Sequence, residues 1–234
     1  MKSIFIKAVC CIVFISFQCI SISCKKSGEE GQSDKPIEIP EGKVQVAVYY
    51  FPNWGPAIQS EWQAIREAKP RFNGHQQPKV PLWGYENENR PEVMEKKINA
   101  AANHGIDAFI FDWYYYDRPN GKYLYKALEE GFLGADNNSD IKFALMWCNH
   151  DVGEMKGAVH PDTFEEIMDY VIEKYFRHPS YWLIDGCPYF SIYQMHTFFE
   201  TYGGDVRKAG EAIELFRSKV KAAGFKDLHL NGIL

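Results

Sequence analysis

The stretch Asp107-Ala108-Phe109-Ile110-Phe111-Asp112-Trp113-Tyr114-Tyr115-Tyr116-Asp117 decides the reading of this chain. It opens as an almost uninterrupted apolar and β-branched run, the pattern of a strand buried on both faces, and its end is polar and aromatic. A helix-period segment precedes it, with Met94, Ile98, Ala101 and Ala102 at helical spacing after Pro91 and Gly105 where a helix stops. The same alternation recurs on both sides. Further strands are predicted over Val44–Phe51, Lys142–Trp147, Tyr189–Tyr193 and Asp227–Asn231. Between them, Phe164, Met168, Val171, Ile172 and Tyr175 form one helical stripe, and Val206, Ala209, Ile213, Phe216, Val220 and Ala223, closed by Gly224, form another. One hairpin interrupts the order: Tyr181–Ile184 and Tyr189–Tyr193 flank Asp185-Gly186, a two-residue signal for a type I′ turn.

Apart from this hairpin, strand and helix alternate, which predicts parallel strands with crossover helices. No Gly-rich phosphate loop follows the first strand, which argues against a nucleotide fold. The fold class expected is therefore α/β, a (β/α)8 barrel of the TIM type. Such a barrel takes about 250 residues. This chain has 234 and reaches about the fifth strand at Leu234, so the expectation is an incomplete barrel, the first part of a longer protein.

Composition narrows the function classes. The chain is 46% hydrophobic, 15% aromatic and 24% charged, with a formal charge of −5, so it can build a core and offers no basic surface for nucleic acid. Lys2 and Lys7 precede or open an apolar run from Ala8 to Ile22, shorter than the ~20 residues of a spanning helix. That reads as a signal peptide over residues 1–23. Ser23-Cys24 at its end resembles the lipobox of bacterial lipoproteins, with plain secretion the alternative. Residues 24–43, polar and bearing Gly and Pro, read as a flexible tether from a lipidated Cys24 to a body over residues 44–234. The expected location is the outer membrane or cell surface, or, without the lipid, the periplasm or medium. Only Cys148 and Cys187 lie in the body, which excludes a disulfide framework and a structural zinc finger. No metal and no cofactor are expected.

In a barrel the chemistry collects at the carboxyl ends of the strands. Those positions hold Tyr50 and Trp54 after the first strand, Asp112, Trp113 and Tyr114 after the second, Asn149, His150 and Asp151 after the third, Tyr193 after the fourth and Asn231 on the fifth. Flat rings beside carboxylates, amides and an imidazole suit a polyol ligand, which needs stacking faces and paired hydrogen-bonding groups. Each ring has a second reading as core, and Asp112 a second reading as a helix cap. Asp112 and Asp151, on neighbouring strands, form a candidate carboxylate pair for glycoside hydrolysis.

Three further stretches carry a resemblance. Ala68-Lys-Pro-Arg-Phe-Asn-Gly-His75-Gln-Gln-Pro78-Lys-Val-Pro81-Leu-Trp-Gly84-Tyr85, then His104-Gly-Ile-Asp107 leading into Phe111-Asp112-Trp113, and Tyr49-Tyr50-Phe51-Pro52-Asn53-Trp54 resemble the WbsX-type domain, grouped with the endo-α-mannosidase-like barrels of glycoside hydrolase family 99. The resemblance covers residues 44–234. It implies a metal-independent, retaining barrel that cleaves α-linked polysaccharide such as mannan, with His75 joining Asp112, Trp113, Asn149, His150 and Asp151 as cleft residues. It also implies that the family's main carboxylates fall late in the barrel, in a Glu-rich motif without a match here. Two alternatives follow: a transferase in polysaccharide synthesis, as the WbsX label suggests, and a non-catalytic sugar-binding lipoprotein.

Overall fold

The computed structural model describes residues 44–55 and 61–233. The expected signal peptide, tether and Cys24 lie outside the described residues. In chain order the elements are β1 (Ala47–Tyr50), α1 (Glu61–Arg66), α2 (Pro91–Asn103), β2 (Ala108–Tyr115), β3 (Lys122–Tyr123), β4 (Lys142–Trp147), α3 (Pro161–Val171), β5 (Leu183–Ile184), β6 (Cys187–Ile192), α4 (Met195–Thr201), α5 (Val206–Ala222) and β7 (His229–Gly232). Two π-helical turns, Ala127–Phe132 and Ile172–Phe176, complete the crossovers.

Five strands run parallel in the order β1-β2-β4-β6-β7, while β3 and β5 add short antiparallel ribbons to β2 and β6. Neighbours in space are neighbours in sequence, with no point where the order reverses. That is the winding of a barrel and not of a doubly wound sheet. The sheet is also curled. Trp182, just before β5, donates its indole N–H to Gln45 Oε1 beside β1 at 3.2 Å, and Tyr49 of β1 acts on the hydroxyl of Tyr189 of β6. On a flat sheet three strand spacings, ~14 Å, would separate β1 from β6. Among the described strands β1 and β7 form the two edges, so the barrel is partial.

Strand alternation splits the residues between two faces. Phe109, Phe111 and Trp113, then Phe143, Leu145 and Trp147, then Phe190 and Ile192 point outward against the crossover elements. Their rings mesh with Phe132 (5.5 Å from Phe111), Phe164 (5.3 Å from Trp147) and Phe216 (5.4 Å from Phe190). Each such pair adds about 0.5–1.5 kcal/mol beyond the area it buries. The helical stripes read from sequence face this layer: Met94 and Ile98 of α2, Phe164 and Met168 of α3, and Phe216 and Val220 of α5 are all fully buried.

Some boundaries move. Lys142–Trp147 forms as expected, and Asp185 and Gly186 take φ of 52° and 80°, the left-handed pair a type I′ turn needs. The second strand, expected to end at Asp112, continues to Tyr115 because Asp112 and Trp113 keep pairing with Met146 and Trp147. Asp112 is therefore an interior strand residue and not a helix cap. The stripe after Phe164 is interrupted at Ile172, where the π-helical turn brings Ile172, Tyr175 and Phe176 into the core together.

Candidate functional site

The inner face of the curled sheet carries a row set by register alone: Asp112 of β2 opposite Met146 of β4, Met146 opposite Ser191 of β6, and Ser191 opposite Asn231 of β7. Asn231 Nδ2 donates to Ser191 Oγ at 3.1 Å. Asp112 has no such partner, and its Oδ1 is buried without a hydrogen bond. Burial disfavours its charged form and pushes the carboxyl up to about 6.

Nearer the carboxyl ends, a second layer surrounds it. Tyr114 packs edge-on to His150 at 5.7 Å, and His150 packs edge-on to Tyr193 at 5.5 Å. Cys148 lies within the influence of Asp112: burial raises its thiol and the Asp112 charge raises it further. Tyr114 is raised in the same sense, by burial and then by Cys148 and Asp112. His150 Nδ1 is buried without a partner, and burial lowers the imidazole's affinity for a proton against the opposing pull of Asp151. Tyr116 holds the ring's own backbone, donating its hydroxyl to the His150 carbonyl at 3.1 Å. The layer thus offers a neutral imidazole, tyrosine hydroxyls and one carboxyl that changes charge near pH 6.

Of the residues singled out in the sequence, Asp112, Tyr114, His150, Tyr193 and Asn231 come together here. The others do not. Trp113 follows Asp112 and so faces the opposite side, 2% exposed, with its indole N–H on the Tyr175 hydroxyl at 3.3 Å. Tyr50 likewise turns outward, donating to Glu88 at 2.7 Å beside Lys97. Asn149 is fully buried and closes a two-way clasp on Gln194, donating to its carbonyl and accepting from its N–H, each at 2.8 Å. Trp54 packs at a tilt against Trp62 at 4.4 Å, and His75 stacks on Phe72 at 4.7 Å while accepting from the Arg71 N–H. Asp151 is exposed, bonded to Lys156 at 2.6 Å and to the Gly157 N–H at 3.0 Å, and these hold its carboxylate below the usual range. Met146, Cys148 and Ser191 had no local signal in the sequence, since only the pairing of distant strands sets Met146 opposite Asp112, Ser191 opposite Met146, and Cys148 within the influence of the Asp112 charge.

The Asn149 clasp joins the end of β4 to the start of α4 across 45 residues. Replacing Asn149 by Ala leaves the half-buried N–H of Gln194 unpaired, while its carbonyl keeps the Phe198 N–H, at about 1–3 kcal/mol. A chemical denaturation midpoint lowered accordingly is the expected result; an unchanged midpoint would return Asn149 to the cleft.

A family model described as glycosyltransferase WbsX matches residues 52–233. The uncharacterized protein WxcX of Xanthomonas campestris pv. campestris is 26% identical over 184 residues, 69% of this chain and 26% of that protein. Its counterpart in strain B100 is 28% identical over 155 residues, 61% of this chain and 21% of its own. The chain therefore spans about a quarter of the length of these relatives. Among solved structures, a glycoside hydrolase-like protein superposes with a TM-score of 0.50 at 17% identity, over 81% of this chain and 51% of that one. It shares the barrel fold. The GH99 endo-alpha-mannosidase from Bacteroides thetaiotaomicron gives 0.43 at 18% identity, over 67% of this chain and 48% of its own.

Proposed function

Because the chain belongs to the WbsX glycosyltransferase family, we propose that it is an exported carbohydrate-active protein that cleaves an α-linked polysaccharide such as mannan, with Asp112 as the proton donor. The single observation that carries this reading is the state of Asp112. Cleavage of a glycosidic bond requires a proton on the leaving oxygen, and a carboxyl raised to about 6 by burial still holds one at mildly acidic pH. Asp151 stands outside this cluster, its exposed carboxylate bound to Lys156 and the Gly157 N–H, so the proposal gives the proton transfer to Asp112 alone. Tyr114, His150, Tyr193 and Asn231 would bind sugar hydroxyls around it.

The test is incubation of the full chain with α-mannan and, separately, with a mannan acceptor plus GDP-mannose. New reducing ends without the nucleotide support hydrolysis. Product that requires GDP-mannose supports the transferase reading, which the family's own description favours. Binding with neither product supports the non-catalytic lipoprotein.

Export through residues 1–23 and a lipid on Cys24 belong to the same proposal, since they would place the body beside polysaccharide and away from nucleotide donors. Cys24→Ser is expected to move the protein from the membrane pellet to the soluble fraction. Continued sedimentation with membranes would reject the anchor.

A further inference from the structure

Between α1 and α2, residues 67–90 form no helix or strand, yet the loop is tied down by its own bonds. His75 stacks nearly parallel on Phe72 at 4.7 Å, and its Nδ1 accepts from the Arg71 N–H at 3.2 Å. Gln77 lies 3.2 Å from the other ring nitrogen and accepts from the Lys79 N–H at 3.1 Å. The Lys79 carbonyl in turn accepts from the Tyr85 hydroxyl at 2.8 Å. Trp62 clamps the base of the loop, its indole N–H on the Glu86 carbonyl at 2.6 Å.

These bonds hold apolar side chains outward. Leu82 is 97% exposed, Val80 70%, Phe72 68% and Trp83 42%. Single exposed apolar residues are ordinary, but four on one ordered loop mark a contact surface. The charge of the loop runs against that of the chain. Between Arg66 and Tyr85 four cations stand against one anion, Glu67, in a chain whose formal charge is −5. Arg66 lies over the Tyr85 ring at 4.4 Å, whereas Lys69, Arg71 and Lys79 meet no carboxylate or ring among the described residues. The matching partner is apolar at depth and anionic at its surface, as a bilayer of acidic lipids is. An acidic polysaccharide would answer the cations and leave Val80 and Leu82 in water. A second copy docked through the same face would set this cationic patch against itself.

We propose that residues 67–85 are a membrane-docking loop, in which Phe72, Val80, Leu82 and Trp83 enter the headgroup region of a bilayer while Lys69, Arg71 and Lys79 pair with the phosphates of its anionic lipids. Among the described residues no helix is long and apolar enough to cross a membrane, so this contact is with one surface only. A tryptophan flanked by basic residues is suited to that depth, its ring among the acyl ends and its N–H at the headgroups. The proposal rests on the export reading only for bringing the chain to a bilayer, and it is independent of the chemistry at Asp112.

The experiment uses the full chain carrying Cys24→Ser, which keeps acyl chains off, and vesicles of brominated phosphatidylcholine with and without phosphatidylglycerol. Bromine quenches only a tryptophan that enters the bilayer. Quenching is expected on the anionic vesicles, to weaken on pure phosphatidylcholine and at raised salt, and to fall by at least about half in Trp83→Phe. Lys69→Gln/Arg71→Gln/Lys79→Gln is expected to lower the vesicle affinity read by this quenching about 10²-fold, and Leu82→Asp, independently, at least about tenfold, with each variant's melting transition confirming its fold. Absence of quenching, quenching that survives Trp83→Phe, or unchanged affinity in both folded variants overturns the docking loop. Equal affinity for the two vesicle types overturns its anionic lipid class. A shift of Trp83 emission by soluble polymannuronate, or by rising protein concentration alone, with none on anionic vesicles overturns it in favour of an acidic polysaccharide or a second copy. Because the vesicles are supplied directly, failure of the export or hydrolase reading leaves every one of these readouts in place.

Discussion

Asp112→Asn is expected to lower the release of reducing ends from α-mannan by about 10²–10⁴-fold, the usual worth of a positioned general acid. The pH profile should identify the group. An acid works in its protonated form, so wild-type activity is expected to fall as pH rises through about 6, the value to which burial lifts this carboxyl. The residual activity of the variant should lack that limb. Stability moves the other way. A carboxyl raised on folding destabilises the native state in its charged form, a penalty absent below the unfolded value near 3.8, growing between there and about 6, and full above. Asn carries no charge and escapes it. The variant's melting temperature is thus expected to exceed that of the wild type at pH 7.5, with the difference fading as pH falls toward 4. Loss of activity together with gain of stability marks a residue kept for chemistry. A large drop in melting temperature at pH 7.5 would instead make Asp112 a structural residue.

The second large effect is expected from Gly131→Ala, well away from the inner face. Gly131 is buried in the π-helical turn Ala127–Phe132, and a methyl group there would overlap the carbonyl oxygen of Glu88 and reach Met94 Cγ at 3.0 Å. Neither neighbour retreats easily. Glu88 donates its N–H to the Trp54 carbonyl at 3.0 Å, and its buried carboxylate is held by Lys97 and the Tyr50 hydroxyl. Because backbone must shift, the expected loss is about 3 kcal/mol or more, a fall of roughly 10 °C in melting temperature for a body of this size. Gly210→Ala is the control. It lies exposed within α5 with nothing near its missing methyl, so Ala should stabilise by about 0.5–1 kcal/mol. A melting temperature for Gly131→Ala within about 2 °C of wild type would mean that this turn does not pack against Glu88 as described.

Tyr50 and Glu88 explain why the site was only half legible. Tyr50 and Tyr114 are both tyrosines near the end of a predicted strand, and composition gives no reason to separate them. One turns outward to Glu88 and Lys97, the other inward to Cys148 and His150. His150 and Asn149 are adjacent, yet one lines the mouth and the other clasps Gln194. The candidate residues were found because barrel chemistry gathers at strand ends; their roles were not, because a role depends on which face and which partner each side chain meets.

What the sequence determined by itself is local and periodic. The apolar run Lys142–Trp147, the Asp185-Gly186 turn and the buried stripe through Met94 and Ile98 follow from side-chain spacing and from the few residues that tolerate a left-handed backbone. Those elements in that order sufficed for a parallel, barrel-type winding. Only the tertiary structure decided that β2 continues past Asp112, that Trp113 belongs to the core, and that Asp112, Met146, Ser191 and Asn231 form one row. The physical reason is that strand register and burial are set by partners distant in the chain. A shift of one residue exchanges the two faces while leaving the local pattern of sequence the same.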